Sequence, residues 1–284
     1  MMACRVLFIF IILVIASLNV FAEDDRALPM DKMSKSVAYL EGGKPRMELL
    51  NGLPHEIGFR KPGSKEFQLL TERITGTGFF VREANRLFLV TAGHVARGLA
   101  VNVKLTTADK SGNSTSYPLD KSVTWVFSEK ADVAVAVIDD PLLKSAFLES
   151  ALGLSILPTS ETSPVSELSL VVVGFPLGLG VQKKFSPLRR ETHAASGLID
   201  LKRADIDQMA EFFILQDPSV GGYSGAPVFV LKTYRFGNTL MKGVDIDSCI
   251  GLIHGTISDN TGGKLGLVTP ANYVYDVIRN MHSN

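Results

Sequence analysis

Short runs of β-branched and aromatic residues, separated by turn-forming residues, dominate the chain from about residue 66 onward. The runs are FQLL, GTGFFV, RLFLVTA, AVNVKLTT, SVTWVF, DVAVAVI, LSLVVVGF, ASGLIDL, EFFILQ, APVFVL, CIGLIHGTI and GLVTP. Many short strands at this spacing are typical of β-barrels and sandwiches. The linker-like segment TSETSP, residues 159–164, divides the runs into two sets of about six. The pattern therefore predicts an all-β protein with one small barrel in residues 66–158 and another in residues 165–284.

The two ends of this region differ from its strand pattern. The last segment, ANYVYDVIRNMHS, has apolar residues at helical spacing, which predicts an amphipathic C-terminal helix against the second barrel. Residues 23–65 are polar, uneven and rich in Gly and Pro, with no long helical period. We expect an N-terminal extension there, with one or two short strands.

The first 22 residues, MMACRVLFIFIILVIASLNVFA, have the three parts of a secretory signal peptide. Arg5 supplies the positive charge, residues 6–16 form the apolar run, and Val20 to Ala22 form a cleavage site with small residues. An uncleaved membrane anchor is the alternative, although the apolar run is shorter than the ~20 residues that span a bilayer. The prediction is an exported protein, periplasmic or secreted, that is free of the membrane after cleavage.

The composition of the chain excludes two classes of protein. The chain has 29 Lys plus Arg and 29 Asp plus Glu, and it is 46% hydrophobic and 20% charged. Nucleic-acid binders carry a basic footprint and acidic disordered chains a strong negative charge, so both classes are excluded. Cys4 lies in the predicted signal peptide, which leaves Cys249, in an apolar strand, and no intramolecular disulfide. A disulfide-free exported domain of this size is typical of a bacterial envelope or medium.

The segment GGYSGAP, residues 221–227, places Ser224 between glycines. A serine that attacks a carbonyl needs backbone N–H groups aimed at the oxyanion that forms. Glycine at position 222 allows the backbone conformation that aims these groups. The segment predicts a nucleophile, with an ordinary Gly-rich turn as the alternative.

A serine hydroxyl needs a base to remove its proton, and an imidazole needs a carboxylate to orient it. In the segment LFLVTAGHVA, His94 follows the small residues Thr91, Ala92 and Gly93, which end a strand-like run. This places His94 at a strand end beside a potential cleft. Asp132 begins DVAVAVI, where a charge has no evident structural reason. The other candidates have structural explanations: His55, His193 and His282 lie in irregular or terminal segments, and Asp139 and Asp140 precede Pro141 in a turn.

Together, residues Phe67 to Ile278 resemble the chymotrypsin-like serine proteases, especially the exported bacterial branch that includes periplasmic heat-shock proteases and glutamyl endopeptidases. The order His94, Asp132, Ser224 is the order of that family. The resemblance implies two six-stranded antiparallel β-barrels with the active site between them. It assigns the general base to His94, the orienting carboxylate to Asp132 and the nucleophile to Ser224. The N–H groups of Gly222 and Ser224 become the oxyanion hole.

The resemblance also predicts where a substrate binds. It assigns a substrate-pairing edge strand to His254, Gly255 and Thr256, and a specificity-pocket wall to residues 217–223, with Ser219 at the hydroxyl position of glutamyl endopeptidases. Pro218 stands where trypsin-like enzymes carry a negative charge, so Lys or Arg preference is not expected. His254 lies one residue later than the glutamyl-endopeptidase histidine, and such a shift turns a strand side chain to the opposite face.

The resulting prediction is an exported serine endopeptidase that cleaves proteins or peptides through an acyl-enzyme, without cofactor, metal or nucleic acid. The alternative is a catalytically silent protease-fold module for binding or chaperoning, because Tyr223 and Ala226 depart from the family pattern around the serine. An α/β-hydrolase is excluded by order. Its acid and histidine follow the serine, and only 60 residues follow Ser224 here.

Overall fold

The structure is a computed structural model that describes residues 30–51, 53–60, 67–119, 123–165, 168–203, 205–236 and 239–281. The predicted signal peptide, residues 1–22, lies outside these described residues. None of the helices in the described ranges is long and apolar enough to cross a membrane.

The first half of the chain folds mainly into strands. Its elements are α1 (Met30–Ser36), β1 (Val37–Pro45), β2 (Met47–Leu50), β3 (Leu53–Glu56), β4 (Gly58–Arg60), β5 (Phe67–Leu69), β6 (Thr71–Glu83), β7 (Arg86–Thr91), α2 (Gly93–Gly98), β8 (Val101–Ala108), β9 (Ser114–Pro118), β10 (Trp125–Phe127), β11 (Ala134–Val137), α3 (Pro141–Phe147) and β12 (Leu152–Gly153). Eight strands form one sheet in the order β10-β11-β7-β6-β1-β8-β9, with β12 parallel to β6 and the other pairs antiparallel. The hairpins β2–β3 and β4–β5 pair separately.

The second half of the chain forms another sheet and ends in a helix. Its elements are β13 (Ser169–Gly174), β14 (Leu188–His193), β15 (Ile199–Lys202), β16 (Met209–Leu215), β17 (Pro227–Phe236), β18 (Thr239–Ser258), β19 (Lys264–Pro270) and α4 (Asn272–Asn280). The seven strands form an antiparallel sheet in the order β14-β13-β17-β18-β19-β16-β15.

The predicted mostly-β architecture with two antiparallel sheets and a C-terminal helix is confirmed. The prediction that each sheet is a closed barrel of six strands is wrong in this detail. Among the described residues the sheets have eight and seven strands, and neither closes on itself. In α4, Tyr273, Val274, Val277 and Ile278 are buried, as the helical spacing predicts.

The first sheet begins earlier than the predicted boundary at residue 66. Strand β1 comes from the segment predicted as an extension, yet it lies centrally between β6 and β8. Residues 37–40 are all buried, so this strand is covered on both faces and lacks the alternating pattern of a half-exposed strand. That burial is the reason why the sequence pattern did not identify it.

A single hydrophobic cluster connects the two sheets. It includes Phe79 and Phe88 from the first sheet, Val171 and Phe229 from the second, and Ile278 from α4. Apolar burial of this kind is the main stabilising contribution to a fold. The cluster holds the two sheets together, and the predicted catalytic residues meet along their junction.

Candidate active site

His94 and Asp132 form a close pair at the start of α2. The backbone N–H of His94 donates to Asp132 Oδ1 at 2.8 Å, and His94 Nδ1 lies 2.6 Å from Asp132 Oδ2. The Asp132 side chain is fully buried, whereas that of His94 is 29% exposed. A Cβ atom on the preceding residue, Gly93, would lie 2.8 Å from Asp132 Oδ1, so only glycine leaves room for the carboxylate. The carboxylate therefore fixes the orientation of the imidazole.

Asp132 remains ionised in spite of its burial. Burial alone would raise its pKa, but hydrogen bonds from His254 and His94 and the charges of these two imidazoles hold the pKa of Asp132 well below its usual value. An ionised carboxylate is the form that stabilises an imidazolium.

Ser224 lies on a turn that packs against β6. Gly222 has φ +96°, and a Cβ there would lie 2.3 Å from the carbonyl oxygen of Phe175. Thr77 in β6 holds the turn from two sides: its N–H donates to the Ser224 carbonyl at 2.8 Å, and its hydroxyl donates to the Gly222 carbonyl at 2.8 Å. The turn that carries the serine is thus fixed to the sheet that carries the histidine.

The Ser224 hydroxyl is not hydrogen-bonded to His94. Within the described residues its partner is the main-chain carbonyl of His254, at 3.3 Å. Catalytic hydrogen bonds are often long in unliganded enzymes and tighten when substrate binds, and the triad stays a prediction. The structure brings His94 and Asp132 into direct contact and leaves the serine hydroxyl on a neighbouring acceptor.

The turn also leaves two backbone donors available. The N–H groups of Tyr223, Gly225 and Ala226 donate to backbone carbonyls. Those of Gly222 and Ser224 donate to no acceptor in the described part of the chain. Two free N–H groups on one turn are what an oxyanion hole requires. Its assignment to Gly222 and Ser224 stays a prediction.

His254 faces the carboxylate of Asp132. Its side chain is 7% exposed, and its Nδ1 lies 2.6 Å from the same Asp132 Oδ2 that contacts His94. Gly255 and Thr256 pair with Leu267 and Gly266 of β19, and among the described residues the pairing of β18 with β17 stops at Leu252. The Thr256 hydroxyl donates to the Ser219 carbonyl at 2.8 Å. Substrate pairing along this segment stays a prediction. A cavity of about 260 Å³ is bounded by His94, Lys202, Asp205, His254, Gly255, Thr256, Ile257 and Leu267.

The predicted specificity pocket is almost filled. Ser219 and Tyr223 line a cavity of about 10 Å³, which is at the lower limit for one water molecule. Arg190 closes it from the side: its guanidinium donates to the Pro218 carbonyl at 2.7 Å and to the Asp217 carboxylate at 3.1 Å. Asp217 is therefore paired with Arg190.

Arg203 is the residue that sequence reasoning missed. Its side chain is 1% exposed and donates to Asp132 Oδ1 at 3.1 Å, and it also holds Asp205 through two hydrogen bonds of 2.9 and 2.7 Å. Arg97 of α2 pairs with the same Asp205 at 2.7 Å. Nothing in the sequence around Arg203 indicates burial, because the contact joins residues 71 positions apart.

One group of side chains has the donor types of a metal site. His94, Asp132 and His254 each offer a ligand atom, and these atoms lie within 4.8 Å of one another. Such donors suit zinc. However, the two Nδ1 atoms are already at hydrogen-bonding distance from one carboxylate oxygen, and this accounts for the grouping.

Comparisons with known proteins agree with this fold. The trypsin-like peptidase domain family matches residues 76–234, more than half of the chain. Three solved structures align with a TM-score of 0.50. Rv3671c from M. tuberculosis, in an inactive serine-to-alanine form, is 16% identical, with 90% of each chain covered. The HtrA-type protease AlgW, determined with a decapeptide, is 15% identical over 89% of this chain and 66% of its own.

The third structure is the thermostable serine protease AL20 from an extremophilic microorganism, 13% identical over 88% of this chain and 99% of that one. At these identities the three structures show the fold alone. No curated protein sequence matches the chain. The family match over more than half of the chain shows that this protein belongs to the trypsin-like peptidase family.

Proposed function

We propose that the protein is a serine endopeptidase that hydrolyses peptide bonds through an acyl-enzyme. The observation that carries the proposal is the contact of 2.6 Å between His94 Nδ1 and the buried, ionised Asp132. Because Nδ1 donates to the carboxylate, the Nε2 of neutral His94 has a free lone pair and can accept a proton. This is the tautomer that a general base requires.

In the proposed reaction the Ser224 hydroxyl leaves the His254 carbonyl and turns to His94 Nε2. The hydroxyl oxygen attacks the scissile carbonyl while its proton passes to Nε2, and Asp132 stabilises the imidazolium. The oxyanion accepts hydrogen bonds from the N–H groups of Gly222 and Ser224. His94 then donates its proton to the leaving amine, and water releases the acyl group by the same steps in reverse.

An extended peptide is the substrate that suits this site best. The cavity beside His94 is bounded by Gly255 and Thr256 of β18, where a peptide could lie along the strand. The similar protease AlgW was determined with a decapeptide. Residues 1–22 support export to the periplasm or the medium, where such an enzyme would meet its substrates.

A second candidate is a silent protease-fold module that binds polypeptides without cleaving them. The specific observation in its favour is the hydrogen bond of 3.3 Å from Ser224 Oγ to the His254 carbonyl, which directs the hydroxyl away from His94. If this arrangement persists when a peptide binds, the protein retains the fold without the reaction.

Digestion of a mixed peptide library, with products identified by mass spectrometry, separates the two candidates. The mature protein is compared with Ser224→Ala and with Ser111→Ala, which alters an exposed serine in the turn between β8 and β9. We expect cleavage by the mature protein and Ser111→Ala, and a loss of about 10⁶-fold in kcat for Ser224→Ala. Equal cleavage by Ser224→Ala would contradict the proposed mechanism, and peptide binding without cleavage would favour the silent module.

A further inference from the structure

The Arg203 guanidinium joins two carboxylates from different halves of the chain. Its Nη2 donates to Asp132 Oδ1 at 3.1 Å and to Asp205 Oδ2 at 2.7 Å, and its Nε donates to Asp205 Oδ1 at 2.9 Å. Two parallel hydrogen bonds to one carboxylate fix the direction of a guanidinium. Since only 1% of the Arg203 side chain is exposed, water does not compete for these bonds. Asp205 therefore fixes the group that Arg203 presents to Asp132.

Arg97 ties Asp205 to the helix that carries His94. The Arg97 Nη1 donates to Asp205 Oδ2 at 2.7 Å and lies 3.9 Å from Asp132 Oδ1. The same guanidinium lies over the Phe127 ring, 4.9 Å from its centroid. Arg97 and His94 both belong to α2. The segment between β15 and β16 is therefore held by the same helix that presents the proposed general base.

The orientation of the Asp132 carboxylate depends on its hydrogen-bond donors. The terminal torsion of an aspartate has broad, roughly two-fold minima, so the side chain alone does not select one orientation. Oδ1 accepts from the backbone N–H of His94 at 2.8 Å and from Arg203 at 3.1 Å. With Oδ1 held by these two donors, Oδ2 lies 2.6 Å from His94 Nδ1. Arg203 is the charged donor of the two, and a hydrogen bond between two ionised groups is the stronger kind.

We propose that Arg203 is a positioning residue that holds Asp132 Oδ1, so that Oδ2 faces His94, and that its charge partly neutralises the carboxylate. This inference rests on the proposed function. An imidazolium on His94 gains less from a carboxylate that already faces a guanidinium. His94 therefore releases its proton at a lower pH than it would beside Asp132 alone. Arg203 extends the activity toward acid pH in this way and needs no contact with the substrate.

Charged and titratable groups from several elements surround this arrangement. Among the described residues they come from α2, from the segment before β11, from β18, from the end of β15 and from the segment after it: Arg97, Asp132, His254, Lys202, Arg203, Asp205 and Asp207. Lys202 and Asp207 are exposed and pair with each other at 2.6 Å, so water screens both charges. Asp205 carries a negative charge that opposes the effect of Arg203. Removal of either charge should therefore move the acid limb of activity in opposite directions.

Two substitutions separate the charge of Arg203 from its geometry. Arg203→Met removes both, whereas Arg203→Lys keeps the charge and loses the planar fork that holds two carboxylates. Arg203→Met should lose about 10- to 100-fold in kcat with little change in KM, the effect of a lost hydrogen bond to a charged group, and Arg203→Lys should lose less. The midpoint of the acid limb of kcat/KM should rise by on the order of one pH unit in Arg203→Met and stay in place in Arg203→Lys. Arg279→Met is the control, because it removes an arginine that pairs with Glu83 at the end of β6, and it should change neither quantity.

Asp205→Asn tests the same arrangement with the opposite sign. Its amide oxygen still accepts from Arg203, but the negative charge is gone, so the acid limb should move to lower pH. This variant also carries the test if Arg203→Met does not fold. A midpoint that does not fall in Asp205→Asn, or a folded Arg203→Met with full kcat and an unchanged midpoint, would overturn the inference.

A proton NMR titration of the His94 ring measures the effect of the charges without reference to activity. All variants are made in the Ser224→Ala background, and the Cε1–H resonance of His94 is assigned with His94→Ala. This resonance should titrate at a higher pH in Arg203→Met, and at a lower pH in Asp205→Asn, than in Ser224→Ala alone. Equal titrations in all three would overturn the inference. The expected shifts in a protein that cleaves no peptide would refute the proposed function and leave the action of Arg203 on Asp132 supported.

Discussion

The glycine that follows the predicted nucleophile offers a quantitative test of how the two sheets are joined. Gly225 has φ +84°, and a Cβ at this position would lie 2.2 Å from the Thr77 carbonyl oxygen and 2.3 Å from Thr91 Oγ1. Neither neighbour can move away freely. The Thr91 hydroxyl donates to the Thr77 carbonyl at 2.8 Å, and the Thr77 N–H donates to the Ser224 carbonyl at 2.8 Å. In Gly225→Ala the turn itself must therefore move away from β6.

The size of the effect follows from two contributions. A non-glycine residue in the left-handed region costs roughly 1–2 kcal/mol. An additional methyl group in a closely packed site costs about 1–3 kcal/mol more. Gly225→Ala should therefore lower the free energy of unfolding by about 2–5 kcal/mol. Gly262 is a matched control, because it has φ +93° and no heavy atom within 4 Å of a Cβ. Gly262→Ala should lose only about 1–2 kcal/mol.

Equilibrium urea denaturation of the two variants measures both contributions, and their difference isolates the packing at Gly225. Each kcal/mol should also lower Tm by about 2–4 °C in a domain of this size. Peptide cleavage by Gly225→Ala, measured where the variant is still folded, should fall because Ser224 moves with the turn. Equal free energies of unfolding for the two variants would contradict this prediction, because the contact of the turn with β6 would then contribute nothing to stability.

Three further predictions concern buried groups. Arg203→Met removes a buried guanidinium from Asp132 and should lower the free energy of unfolding by about 3–5 kcal/mol in urea, and an unchanged value would show that the ion pair is not formed. Because burial raises the pKa of Cys249 to about 12, its thiol should react with a thiol reagent only after unfolding, and fast labelling of native protein would contradict this. The pKa of Asp132 is lower in the folded than in the unfolded protein. Its ionisation therefore stabilises the fold at pH values above the unfolded pKa of about 3.9, and this stabilisation is lost as the pH falls toward the folded pKa. Acid titrations of stability should therefore show a steeper decline for the wild type than for Asp132→Asn, and identical slopes would contradict the depressed pKa.

Much of the fold could be predicted because its strands alternate or end at turn residues. The run DVAVAVI became β11 with Asp132 just before it, and the helical spacing of Tyr273 to Ile278 became α4. Strand β1 escaped prediction because it is buried on both faces and contains Gly42 and Gly43. Its central place in the sheet depends on its two neighbours, which its own pattern does not specify.

Local sequence identified the three proposed triad residues, and long-range contacts supplied the rest of the site. His94, Asp132 and Ser224 each lie in a short segment of recognisable chemistry. The side-chain direction of His254 depends on a bulge in the pairing of β18 with β19, and a count along one strand does not predict a bulge. The burial of Arg203 depends on its contact with Asp132 in the other half of the chain.

The proposed function requires that Ser224 is a nucleophile activated by His94. The reaction of the folded protein with a fluorophosphonate measures this activation, with the modified residue located by peptide mass spectrometry and His94→Ala run beside it. We expect one adduct per chain, on Ser224, and loss of labelling in His94→Ala. No adduct on Ser224, or labelling as fast in His94→Ala as in the wild type, would contradict it.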